Sequence, residues 1–302
     1  MSDGLKTKPA PTVVALERDV RPAASVGRQL LLRLRRNRMA GIGLVFLTLM
    51  MLMAILAPHL TPYQPQQQRL LWRLQPPSRD HWMGTDELGR DIFTRVAYGG
   101  RVSLVIGVLG SSIGMLTGVT LGATAGYLGG RFDNLVMRVI DIMMSFPGVL
   151  LAILIVAVLG PGTHNLVVAL SIWFTPTFAR ITRGCILALR DVEFAEAARA
   201  VGAGSARILF FHLLMNSLSP IIVYMTLSVA TSILVAAGLG FLGLGVQPPT
   251  AEWGIMVSTG RQYLRDAPHV ILFPGLAIFL TVLSINFIGD ALRDALDPRL
   301  RV

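Results

Sequence analysis

The chain has 302 residues, 53% of them hydrophobic and only 15% charged. Soluble domains carry about 25% charged residues, so this composition excludes an ordinary soluble protein and points to the membrane class. Cys185 stands alone, which excludes an internal disulfide and any cysteine metal spacing, and neither of the two lysines, Lys6 and Lys8, both in the N-terminal tail, stands in a Gly-Lys-Ser/Thr phosphate loop, so if ATP drives this protein another chain binds it.

Residues 1–38 read as a basic tail that ends in Arg33, Arg35, Arg36 and Arg38. Met39 to Ala57 is an uncharged run of membrane-spanning length. The long segment before it and Pro58 after it argue for an anchor rather than a cleaved signal. After an extracytoplasmic loop (59–97), further apolar runs are expected to span at Val102–Gly130, Ile142–Leu159, Leu166–Cys185, Leu213–Leu244 and Val270–Gly289. Backbone amides in lipid must be bonded within their own segment, so the predicted fold is all-α with six transmembrane helices. A core over 98–290 and a cytoplasmic tail over 291–302 complete the division.

Orientation follows from the basic residues. With the N-terminus inside, 19 Lys and Arg fall on cytoplasmic segments and 8 on outer ones. Both termini are therefore expected in the cytoplasm. The net charge of +10 becomes a topology signal, which argues against nucleic acid as a partner.

The loop between spans four and five is the most unusual segment. It reads Asp191-Val-Glu-Phe-Ala-Glu-Ala-Ala-Arg-Ala-Val-Gly202. Asp191 is expected to cap a short helix. Glu193 suits its first turn, the alanines keep it thin, and Gly202 and Gly204 end it. A second helix from Ser205 to about Ser217 leads back to the membrane. Such a helix, thin and edged with carboxylates, suits a groove on a partner.

Glu196-Ala197-Ala198, then Gly202, then His212-Leu213-Leu214 resembles the Glu-Ala-Ala signature of ABC importer permeases. Further segments resemble the dipeptide/oligopeptide/nickel branch, in the subunit with an extra N-terminal span. They are Gly84-Thr85-Asp86-Glu87-Leu88-Gly89-Arg90-Asp91, Arg101-Val-Ser-Leu, Ala125-Gly-Tyr-Leu-Gly-Gly130, Ser145-Phe-Pro-Gly148, Phe241 to Pro249, Phe273-Pro274-Gly275 and Gly289-Asp290 to Pro298.

The resemblance implies a type I ABC importer permease fold in a bacterial inner membrane. It implies a second homologous permease, two ATP-binding subunits that hold the ATP and magnesium, and an extracytoplasmic substrate-binding protein. This chain would bind no cofactor itself. Loop 191–217 would couple to the ATPases, with Glu193, Glu196, Ala197, Ala198, Gly202 and His212 carried over by position. Gly238–Gly245, with Gly240, Gly243 and Gly245, would help form the translocation path or its gate. Met215 stands where the signature commonly has proline. The implied cargo is short peptides, such as dipeptides, oligopeptides or glutathione-like tripeptides; a nickel complex is the alternative. A solitary secondary transporter is the rival class, but no acidic residue lies near the centre of any span.

Other candidates read as structural. Asp86, Glu87 and Asp91 cluster outside the membrane with His81 nearby and no nucleophile, so an ordering role at the entry to span two is expected. Asp141 is expected to pair with Arg138 and Asp290 with Arg293. Asn286, near mid-membrane, either bonds a neighbouring helix or lines the path.

Overall fold

The computed structural model describes residues 37–296. Among these the chain is helical, with one isolated antiparallel bridge, Thr85 to Asp91. The main helices are α1 (Arg38–Leu60), α2 (Ile92–Leu128), α3 (Gly130–Met144), α4 (Gly148–Leu159), α5 (Thr163–Leu189), α6 (Glu193–Ala200), α7 (Leu218–Phe241), α8 (Trp253–Gly260) and α9 (His269–Leu296). Arg33, Arg35, Arg36 and the rest of the basic tail lie outside the described residues, as do residues 297–302.

Asn37 starts α1 by accepting from the backbone N–H groups of Met39 (3.1 Å) and Ala40 (3.2 Å). Only a narrow face of small residues is buried: Ala40, Gly43, Ala54 and Ala57. Ile42, Val45, Leu49 and Ile55 point outward, as on a helix at the rim of a bundle with lipid beyond it. Pro58 has no N–H, so the carbonyl of Ala54 loses its helical donor. Arg101 of α2 replaces it. Its Nε donates to Ala54 O and its Nη2 to Ile55 O (2.7 Å).

The centre is α2 packed along α5. At 37 residues α2 is about 55 Å long, well beyond a hydrocarbon core of about 30 Å. It begins at Ile92 rather than the predicted Val102. Its first turns, with Ile92, Thr94, Arg95 and Val96, are buried in protein rather than lipid, so their polar residues hid them from an apolar-run criterion. Gly110, Gly114, Gly118, Gly122 and Gly126 recur every fourth residue and face α5. A Cβ on Gly114 would stand 2.9 Å from Ser171 O, and one on Gly118 or Gly122 would run into the backbone oxygens of Thr175 or Ala179. Small residues at this spacing let two membrane helices meet backbone to backbone.

The partners advance together, Gly110 beside Leu170 and Gly126 beside Ile186, so α2 and α5 are parallel. The intervening chain must therefore return across the membrane. It does so through α3 and α4, which meet at 88°. The predicted third span, Ile142–Leu159, is thus not one helix. It breaks at Ser145–Pro147, where proline disfavours the helical conformation of the residue before it.

Helices α1, α2, α7 and α9 are long and apolar enough to cross a membrane, and the bent pair adds a fifth crossing. The remaining predicted span is α5, long enough at 27 residues but more polar, with Asn165, Ser171, Thr175 and Arg180. Six crossings are consistent with this arrangement. The fifth predicted span starts later than Leu213, at Leu218, and the sixth runs on to Leu296, into the segment predicted as a tail.

Valine at Gly122 is expected to overpack the α2–α5 contact, a fault that costs about 1–3 kcal/mol. Valine at Gly41, where nothing lies within 4 Å of a built Cβ, is the matched control. Size-exclusion profiles of detergent extracts should show the Gly122→Val chain depleted or aggregated and the Gly41→Val chain normal.

Candidate functional site

The segment after α5 forms a small platform at one end of the bundle. Ala195 and Ala198 are buried and pack with Ala123 of α2, Ile186 of α5, and Ile208, Leu209 and Leu213. The three-residue spacing puts both alanines on one face of α6. Glu193, Glu196 and Ala197 lie on the open side. The predicted set therefore divides: Ala198 seats the helix, while Glu193, Glu196 and Ala197 face away from the bundle. Val201, directly after α6 in the chain, is 84% exposed and Phe211 is 73% exposed, so the segment presents apolar as well as charged surface.

Asp191 is not the cap. Val192 takes that position with no side-chain bond, and Asp191 instead meets Arg190 Nε (3.1 Å). The first turn is served by the carboxylates of Glu193 and Glu196, which suit the positive end of a helix. Gly202 ends α6 with φ +82°, a conformation that favours glycine. Its N–H donates to Arg199 O (3.0 Å) and Ala203 N–H donates to Ala198 O (3.0 Å), the paired closure of a Schellman cap.

The predicted second helix is only a single α-turn, Ser205–Arg207, followed by a π-helical stretch, Ile208–Leu214. His212 lies there, half-buried, and its carbonyl accepts from Asn216 Nδ2 (2.6 Å). Met215 is helical and exposed, and the chain runs on through Ser217 into α7.

Arginines that the sequence reading counted only for topology tie the platform to the bundle. Arg199 Nη2 donates to Arg190 O (2.6 Å), and Arg190 Nη1 donates to Gly126 O of α2 (3.3 Å). Arg183 of α5 grips Asp133 of α3 with two bonds, 2.5 and 2.6 Å. Asp141 pairs with Arg180 (2.7 Å), not with Arg138 as expected, because the turn at α3–α4 lays α3 against α5. The expected Asp290–Arg293 pair does not form among the described residues.

The Gly238–Gly245 stretch closes α7 and seats α8. Gly243 has φ +81°, with Gly243 N donating to Gly240 O and Leu244 N to Leu239 O. A Cβ on Gly245 would stand 2.5 Å from Gly240 Cα, and one on Gly240 would meet Glu252 Oε2 at 3.1 Å. Asn286 is half-buried on α9 and does not join this group; Gly289, one turn on, packs against Thr226 of α7, about 20 Å along that helix from Gly240.

Glu252 and Trp253, which sequence reasoning passed over, organise this corner. Glu252 is buried, and accepts from Ser103 Oγ (2.9 Å), Gly254 N (2.9 Å) and Ile255 N (3.0 Å). Burial pushes its carboxyl above the ordinary range, against the pull of those bonds. Trp253 Nε1 donates to Val96 O (2.9 Å), and its ring lies on Gly99 and Gly100. The only signal was a carboxylate next to an aromatic in a Pro/Gly-rich loop.

Asp86, Glu87 and Asp91 have the ordering role expected. Asp86 accepts from Leu88 N, Arg90 N and Arg90 Nε and lies 3.3 Å from Arg95 Nε. Glu87 pairs with Arg90. Asp91 caps α2 through Thr94 and meets His81 Nδ1 (2.9 Å). No group of His, Cys, Asp and Glu fit to hold a metal occurs among the described residues.

Residues 118–302 match the model of the binding-protein-dependent transport system inner membrane component, and residues 25–77 match the N-terminal TM domain of oligopeptide transport permease C. The chain belongs to the binding-protein-dependent permease family. It is 49% identical to the dipeptide transport system permease protein DppC of Alkalihalophilus pseudofirmus, over 92% of each chain. It is 46% identical to the glutathione transport system permease protein GsiD of Pectobacterium atrosepticum, over 89% of this chain and 90% of that one. Among solved structures it resembles the inward-facing MetNI methionine ABC transporter, with TM-score 0.53 and 20% identity over 67% of this chain and 96% of that one. That likeness carries the fold. The chain is thus a multi-pass membrane permease with an ABC importer permease fold.

Because its folded pKa is raised, Glu252 contributes most favourably below the ordinary carboxylate pKa, and that contribution declines as pH rises through the raised value. The thermal stability of wild type relative to Glu252→Gln should therefore improve between about pH 8 and about pH 5. A difference that does not change with pH would contradict the burial account.

Proposed function

We propose that the chain forms part of the membrane path of an ATP-driven importer for short peptides and is coupled through loop 191–217 to separate ATPase subunits. The observation that carries this reading is the platform: α6 is fixed to the bundle by Ala195 and Ala198 and leaves Glu193, Glu196 and Ala197 free at its edge. The relatives named for a dipeptide and for glutathione support peptide cargo over a nickel complex.

The proposed assembly contains a second homologous permease, two ATP-binding subunits that hold ATP and magnesium, and an extracytoplasmic binding protein. The chain itself has no ATPase site. It sits in a bacterial inner membrane with both termini in the cytoplasm, so the platform faces the cytoplasm. One ATPase seats α6 in a cleft, where Glu193 and Glu196 meet basic groups and Ala197 allows close approach, and the other seats the matching helix of the second permease. ATP binding draws the ATPases together and moves α6. The bonds Arg199 to Arg190, Arg190 to Gly126 and Arg183 to Asp133 pass that motion to α5, α2 and α3. His212 lies on the return to α7 and transmits the motion there. The pair of permeases rocks to face outward, receives peptide from the binding protein, and resets on hydrolysis. Gly240, Gly243 and Gly245 lie at the outer end of the path and Asn286 lines it further in.

In proteoliposomes with the whole transporter, Glu196→Arg is expected to lower ATP-driven uptake of a labelled dipeptide by at least about tenfold, the effect of roughly 1.4 kcal/mol. Gly202→Val should act likewise by straining the cap. Both variants should insert normally in the membrane. Normal uptake in both would overturn the coupling role.

A further inference from the structure

At the end of α1 a cavity of about 260 Å³ opens, lined by Leu60, Tyr63, Arg79, Asp80, Trp82 and Phe93 among others. Arg79 and Asp80 are exposed, and neither side chain has an ion pair or hydrogen bond among the described residues. The Asp91 carboxylate that also lines the cavity is already occupied by His81 and Thr94. Trp82 is 65% exposed and rests on Phe93 with ring centroids 5.1 Å apart. Directly below, Leu60, Leu56 and Ile55 continue the outward face of α1, the face that lipid covers in a membrane-spanning helix.

We propose that this cavity binds the headgroup of a zwitterionic aminophospholipid from the leaflet around the end of α1. Its charges match the two ends of such a headgroup. The Arg79 guanidinium presents paired N–H donors suited to a phosphate. The Asp80 carboxylate accepts from the ammonium, which also lies near the Trp82 ring face. The acyl chains run down past Leu60 and Leu56. Trp82 sits where indoles concentrate, at the boundary between hydrocarbon and water. An anionic headgroup satisfies Arg79 but leaves Asp80 unpaired, so the site discriminates by the amine. The lipid holds α1 against the outer loop. The proposal needs only that α1 spans the bilayer, so it stands or falls independently of the peptide reading.

The test is native mass spectrometry of the whole transporter, purified in detergent and incubated with equal amounts of phosphatidylethanolamine and phosphatidylglycerol. Wild type is expected to retain phosphatidylethanolamine about fivefold over phosphatidylglycerol, the worth of one partly exposed charge pair. Asp80→Asn should bring that ratio near one, and Arg79→Gln should lower retention of both lipids. These exposed, partnerless side chains can be changed without loss of fold, which size-exclusion profiles of the variants check. Equal retention of the two lipids by wild type, or a ratio and retention unchanged in both variants, would overturn the proposal. Equal binding of water-soluble phosphoethanolamine and of the lipid would overturn a lipid as the ligand.

Discussion

Everything at the centre of this bundle depends on two helix backbones being allowed to touch. The α2 face from Gly110 to Gly126 carries no side chains, and α5 lies directly on it. In lipid there is little hydrophobic drive to bring helices together, so close van der Waals contact must do it. Because the contact is parallel, it also dictates the return of the chain through the bent α3–α4 pair. Because it runs to Gly126 and Arg183, it ends where the loop around α6 begins.

The two ends of the bundle are then built differently. At one end a knot of charged residues, Asp86, Arg90, Arg95, Asp91 and His81, is largely withdrawn from solvent and each charge is answered. Glu252 and Trp253 bind the neighbouring corner to α2. At the other end Arg183 holds Asp133, and two bonds to backbone carbonyls at helix termini, Arg199 to Arg190 and Arg190 to Gly126, hold the loop around α6. Such an arrangement keeps α6 attached to α2 and α5 while its outer face stays open for a partner. A densely bonded end and, opposite it, a tethered platform with an open face suit the proposed machine, driven from one side.

Much of this was legible in the sequence. The length of the apolar runs located most of the spans. The alanine-rich loop between two carboxylates and Gly202 identified the platform, and the Schellman closure at Gly202 is what a glycine after such a helix predicts. What escaped was tertiary. The extra turns of α2 carry the buried Arg95 and also Arg101, which bonds carbonyls of α1, and both look like ordinary solvent residues in the sequence. The four-residue glycine repeat was visible, but its meaning depended on α5 lying opposite. Phe146-Pro147 was read as part of a motif rather than as the break that splits the third span. Asp141 found Arg180 on another helix rather than Arg138 on its own, since pairing across helices leaves no trace in local spacing. Asp191 pairs with Arg190, its neighbour in the chain, and Val192 stands at the cap position.

The most direct test of the account is gentle-detergent purification of the tagged chain from its native membrane, with partners identified and counted by mass spectrometry. The account predicts recovery of a second permease and two ATP-binding subunits with the wild-type chain, and loss of the ATP-binding subunits when Glu193 and Glu196 are both replaced by arginine while the second permease is retained. Recovery of the wild-type chain alone, folded and moving peptide into liposomes without ATP, would contradict it.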